Sequence, residues 1–101
     1  MKLIYTSIAL YNRKQISKYI SRNFGKQSVQ DFNERVKAAH KSIKDSPFAH
    51  PKDWDLSTAE LDVHFYIING LTKMVYVVED NQVIVLDIWD TRHQPPKSVS
   101  H

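Results

Sequence analysis

The chain has 101 residues, of which 42% are hydrophobic and 25% charged, and it has no cysteine. That length supports one hydrophobic core, and the missing thiols exclude disulfides, thiolate catalysis and cysteine-held zinc. The net charge of +3 hides an uneven spread: residues 1–44 hold ten Lys and Arg against Asp31 and Glu34, a local +8, while residues 45–101 hold four against nine acids, a local −5. A basic half of this kind points to an acidic partner, either nucleic acid or an acidic protein segment. The plain alternative is a solvated basic helix face. Met1–Thr6 is too short and too quickly polar for a signal peptide, and no apolar run approaches the ~18 residues needed to cross a bilayer. A cytoplasmic protein with no membrane contact is expected, folded as one domain over residues 1–97 with a frayed tail at 98–101.

Leu3-Ile4-Tyr5 reads as a short first strand. Ile8, Tyr11, Ile16, Tyr19, Ile20 and Phe24 then recur at helical spacing as a core stripe, with Thr6 or Ser7 as N-cap and Gly25 at the C-terminal reversal. Ser28-Val29-Gln30-Asp31 resembles a capping box with Asp in place of Glu. It opens a second helix whose stripe is Val29, Phe32, Val36, Ala39 and Ile43, ended by Asp45-Ser46-Pro47. So short a link makes the two helices an antiparallel hairpin.

Residues 46–58 read as a loop anchored by Trp54, long enough to be functional or partner-facing. Three β-type runs follow, Leu61–Ile68, Lys73–Val78 and Val83–Trp89, with reversals at Asn69-Gly70 and Glu79-Asp80-Asn81 that make an antiparallel meander. The order is β-α-α-β-β-β, an α+β fold with the helical hairpin covering one face of an antiparallel sheet. The last run is apolar enough to be buried on both faces, and it delivers polar side chains to the rim, where sites are commonly built.

The element order, with a final strand closing Ile88-Trp89-Asp90-Thr91-Arg92-His93-Gln94-Pro95-Pro96-Lys97, resembles the RelE/ParE superfamily of bacterial type II toxins, the plasmid stabilisation proteins. It is most similar to the branch that closes in I-W-D-S/T-R-x-x-P. Met74-Val75-Tyr76-Val77-Val78-Glu79-Asp80 resembles the apolar-Tyr strand of that family running into an acidic turn. The resemblance spans Leu3 to about Lys97. It implies a growth-inhibiting toxin neutralised by a cognate antitoxin, whose helix or extended segment wraps it. It further implies a choice: RelE-type members cut mRNA on the ribosome with basic and aromatic residues on an exposed sheet face, whereas ParE-type members lack that set and are associated with poisoning DNA gyrase.

Cleaving RNA without a metal requires a base for the 2′-hydroxyl, an acid for the leaving 5′-oxygen and a cation for the charged phosphorane. Histidine is chemically suited to that acid–base work, which makes His93 and His64 the candidates for it, and Arg92 and Lys73 are the candidate phosphate holders. Yet Lys73 is the only cation on the middle strands, and the half that carries it is negative, whereas phosphate binding needs a positive face. The residues therefore favour a ParE-type toxin that binds its target. A ribosome-dependent nuclease and an inactive interaction module are the alternatives, and enzymatic activity stays open. Trp89-Asp90-Thr91-Arg92 reads first as the structural close of the sheet, with Trp89 and Asp90 also candidate partner contacts.

The second candidate surface is the first helix. Lys14, Lys18, Arg22 and Lys26 step at intervals of four beside Arg13, with no acid among them, as one continuous stripe. An acidic protein target or antitoxin segment is the expected partner. Nucleic acid is set second because few aromatics interleave with these charges. No cofactor is implied, and without a histidine pair at i,i+4 or a carboxylate cluster at ligand spacing, no metal site is expected.

Overall fold

The structure, a computed structural model, describes residues 1–91. Strand β1 (Lys2–Tyr5) leads into helix α1 (Ser7–Phe24) and helix α2 (Lys26–Asp45), and strands β2 (His64–Ile67), β3 (Thr72–Glu79) and β4 (Gln82–Asp90) follow among the described residues. The expected order stands. The sheet runs β1-β4-β3-β2, and its pairing is mixed: β2–β3 and β3–β4 are antiparallel, whereas β1 lies parallel to β4. That parallel pair follows from the topology, because the intervening hairpins return the chain to the side from which β1 started.

Each reversal has a local cause. Thr6 caps α1 by accepting the Ala9 N–H at 3.1 Å while its own hydroxyl donates to the Leu86 carbonyl at 2.9 Å, so one side chain fixes helix to sheet. Gly25, at φ 91° and ψ −177°, ends α1 and begins α2, and its N–H reaches the carbonyls of Ile20 and Ser21. This backbone region is open essentially to glycine alone. The expected capping box does not form. With Gly25 as N-cap, α2 starts at Lys26, two residues before Ser28, which sits inside the first turn and donates to the Phe24 carbonyl at 3.3 Å. Asp80 and Asn81 both have positive φ, 50° and 61°, which gives the two-residue hairpin between Glu79 and Gln82 the twist its strands need. At the β2–β3 turn, the Asn69 carboxamide oxygen accepts from the N–H groups of Leu71 and Thr72, and Gly70 supplies a φ of 84°.

The main core lies between the hairpin and the sheet. Phe32, Val36, Ala39 and Ile43 of α2 meet Met74 and Tyr76 of β3 and Val83, Val85 and Ile88 of β4. The expected α2 stripe is therefore buried apart from Val29, which is half-buried. Helix α1 departs from expectation. Ala9, Ile16 and Ile20 face the core, while Ile8, Tyr11, Tyr19 and Phe24 are exposed.

The opposite sheet face is covered as well. After pairing Lys52 with His64 at the β2 edge, the chain folds across it as far as Val63, placing Leu56, Leu61 and Val63 over Val75, Val77, Ile84, Leu86 and Trp89. The segment is tied by Asp53 N–H to the Val63 carbonyl at 2.7 Å and Phe65 N–H to the Pro51 carbonyl at 3.0 Å. Leu61–Val63 therefore belongs to this cover, and β2 starts only at His64. Trp54, expected to anchor the loop, is 75% exposed, with the Lys52 ammonium over its ring. The anchor is Asp53, whose carboxylate accepts the N–H groups of Asp55 and Leu56 at 3.1 Å each.

A break in the β3–β4 register falls between Val75 and Tyr76, which pair with Asp87 and Val85 and leave Leu86 as the extra residue. A bulge of this kind places two successive side chains on one side. Asp87 and Ile88 accordingly both turn toward the helices, Asp87 accepting from the Asn12 carboxamide on α1 at 2.6 Å and from the Ile88 N–H at 2.7 Å.

Candidate functional site

The two middle-strand residues with RNA-cleaving chemistry are kept apart. His64 pairs across the ribbon with Tyr76, stacks on its ring at 5.5 Å and lies on the helix side, where its Nδ1 is 2.8 Å from the His50 carbonyl. Tyr76 is buried and donates to the Pro47 carbonyl, and burial pushes its hydroxyl up to about 12. Lys73 emerges on the other face. Its Nζ is 2.5 Å from Asp53 Oδ2, 4.6 Å from the Phe65 ring centroid and 5.7 Å from that of Trp89. A cation held by a buried carboxylate and two rings is committed to holding the loop cover in place. Arg92 and His93 lie outside the described residues. Trp89 is buried against the loop cover, as a closing residue of the sheet would be. No group of three His, Asp or Glu side chains that could hold a metal occurs among the described residues, nor is any helix there long and apolar enough to cross a membrane.

A third set of titratable groups joins β1, α1 and α2. The Tyr5 hydroxyl lies 2.5 Å from Nε2 of His40, and the Arg13 guanidinium sits over the Tyr5 ring at 5.6 Å. Burial, followed by the charges of Arg13 and Lys44, lowers the His40 imidazole to about 4, so it is neutral near pH 7. Burial also raises Tyr5, against an opposing pull from Arg13. A neutral imidazole hydrogen-bonded to a neutral phenol makes this cluster a pin between strand and hairpin.

One concavity was not legible in the sequence. A groove of 630 Å³ opens between the hairpin and the end of the sheet. Its deep wall is apolar, from Ile16 and Ile20 of α1, Phe32 of α2 and Ile88 of β4, and the exposed Tyr19, Phe24 and Leu71 stand at its mouth. Asn12, Gln15, Asp31, Arg35 and Asp90 supply its polar lining. An apolar trough with a few polar groups suits a side chain or short segment of another protein. Of the residues singled out by sequence, Trp89 and Asp90 line it. The others were missed because the groove joins three elements distant in the chain, and Tyr19 and Phe24 read as core.

The basic row divides. Lys14, Lys18 and Arg22 are exposed along α1, while Arg13 is partly covered by its contact with Tyr5. Lys26 is not the next step of that row, because the chain reverses at Gly25 and Lys26 opens α2.

No family model and no curated protein matches the sequence. The likeness to known proteins is carried by structure. The chain superposes on that of the YoeB dimer from Staphylococcus aureus with a TM-score of 0.59 and 17% identity, covering 86% of this chain and 92% of that chain. This chain therefore shares the fold of that YoeB chain, two helices packed on a four-stranded mixed sheet. A fold alone does not fix activity.

Proposed function

We propose that this chain is the toxin of a type II toxin–antitoxin pair, acting by binding a macromolecular target in the ParE manner, with DNA gyrase as the candidate, and silenced when its antitoxin seats a segment in the groove between hairpin and sheet. The toxin fold shared over most of the chain supports the class. The choice of mechanism is carried by one observation, the placement of His64 and Lys73 on opposite faces, each held by structural partners. A phosphate needs cation and acid–base group on one side of the scissile bond, and both faces of this sheet are covered by the protein's own residues.

Expression in a host lacking the antitoxin tests the reading. Growth arrest with a DNA-damage response and intact mRNA is the expected result. Arrest with ribosome-dependent mRNA cleavage would transfer the proposal to the RelE-type alternative, with Arg92 and His93 as the first residues to substitute. Growth without arrest would leave a toxin-fold interaction module.

A further inference from the structure

The two helices of the hairpin treat charge differently. On α2, the cations are mixed with Asp31, Glu34 and Asp45, and Lys41 pairs with Asp45 at 2.9 Å. This is how a solvated helix limits repulsion among like charges. The 18 residues of α1 include four cations and no acid. Residues 11, 14, 18 and 22 fall within one narrow sector of an ideal helix, opposite the sector of Ala9, Ile16 and Ile20 that packs on the core. The outward line of α1 therefore reads Tyr11, Lys14, Lys18, Arg22, with Tyr19 on its flank beside the groove.

The reason for setting nucleic acid second now falls away. Tyr11 and Tyr19, expected in the core, are 61% and 54% exposed on the same helix as the cations. Lys14, Lys18 and Arg22 are separated by a rise of ~6 Å per step, a regular row that follows a charged backbone. The two rings offer flat apolar faces with wet hydroxyl tips, the geometry that takes an unpaired base. An acidic protein segment would account for the cations, and one seated in the groove for Tyr19, but the exposed face of Tyr11 would be left unexplained. Residues 45–101 carry −5, so attraction for a polyanion lies with the helical hairpin rather than with the sheet.

We propose that the outward face of α1 is a binding surface for single-stranded nucleic acid, with Lys14, Lys18 and Arg22 on successive phosphates and Tyr11 and Tyr19 stacking on bases. The proposal does not rest on the toxin reading: Tyr11, Lys14, Lys18 and Arg22 lie outside the groove, and of its residues Tyr19 alone is shared with the groove mouth.

Fluorescence anisotropy with the purified full chain tests it, using labelled oligouridine, the matching oligodeoxythymidine, a mixed-sequence duplex and a poly-glutamate peptide. Both single strands should bind more tightly than duplex or peptide, with log affinity falling linearly in log salt. Lys14→Gln, Lys18→Gln and Arg22→Gln together should weaken oligouridine binding at least about tenfold and flatten the salt slope by about 2, the value for three phosphates on a single strand. Tyr11→Ala with Tyr19→Ala should cost about fivefold or more at an unchanged salt slope. Circular dichroism should show both variants folded, because every substituted side chain is exposed. Tighter binding of the poly-glutamate peptide would overturn the proposal in favour of an acidic protein partner. Oligouridine affinity unmoved by the triple substitution, or duplex bound as well as single strand with no loss in the tyrosine variant, would overturn it outright.

Discussion

His64 and Lys73 stand on opposite faces of the ribbon formed by β2 and β3, the first stacked on Tyr76 toward the helices and the second paired with Asp53 beneath the loop cover. The separation turns a candidate catalytic pair into two structural fixtures. Substituting either should act on stability before it acts on growth inhibition.

Lys73→Met keeps the aliphatic stem over Phe65 and Trp89 but leaves the buried Asp53 carboxylate without its cation. Urea denaturation should show a loss of about 2–3 kcal/mol. Asp53→Asn added to Lys73→Met should recover about 1 kcal/mol of it, because the uncompensated charge is gone. At a temperature where Lys73→Met is still folded, growth arrest should persist.

The His40 imidazole is lowered by burial to about 4 from an ordinary 6.5. The unfolded chain therefore binds this proton more readily, and the neutral imidazole contributes stability that is full above about pH 6.5 and is lost as the pH falls toward 4. After discounting for its partial exposure, the loss is about 1 kcal/mol. His40→Gln keeps an acceptor for the Tyr5 hydroxyl and cannot titrate, so its melting temperature should fall less than that of the parent between pH 7 and pH 5.

Gly25 carries the entire link between α1 and α2 at φ 91°. No atom stands within 4 Å of where a Cβ would sit, so space is no obstacle to alanine. The cost is conformational: Gly25→Ala should destabilise by about 1–3 kcal/mol in thermal or urea unfolding.

The groove prediction is a matter of neutralisation. Leu71 is exposed at the mouth and contributes nothing to the core clusters. Leu71→Arg should leave unfolding within about 0.5 kcal/mol of the parent while weakening rescue by a co-expressed antitoxin. Full rescue by that antitoxin would remove the groove as its seat.

The parts of the fold legible in sequence were those governed by one strong local rule. Phe32, Val36, Ala39 and Ile43 repeat on one helical face and are buried there, and Asp80-Asn81 is a pair that tolerates positive φ and makes the turn. Helix α1 misled because its apolar residues fall on two sides. Ala9 gives little hydrophobic signal yet is fully buried, while Tyr11 and Phe24 give a strong one and lie in solvent. Trp54 misled in the same way. The residue that fixes its loop is the neighbouring Asp53, whose value depends on two following N–H groups and on a lysine 20 positions later. No spacing rule connects such partners, and the groove, shared among α1, α2 and the end of the sheet, is invisible for the same reason.

The extra residue in β4 acts as a phase shift on everything that follows it. Before Leu86 the odd positions, Val83 and Val85, address the helices; after it Ile88 does so and Trp89 is sent to the opposite side. A chain with Leu86 deleted would pair Val85, Asp87 and Ile88 in unbroken alternation with Tyr76, Val75 and Met74, leaving Ile88 toward the helices and Trp89 under the loop cover while turning the Asp87 carboxylate away from Asn12. One inserted residue thus decides whether β4 can send a carboxylate to α1 at all.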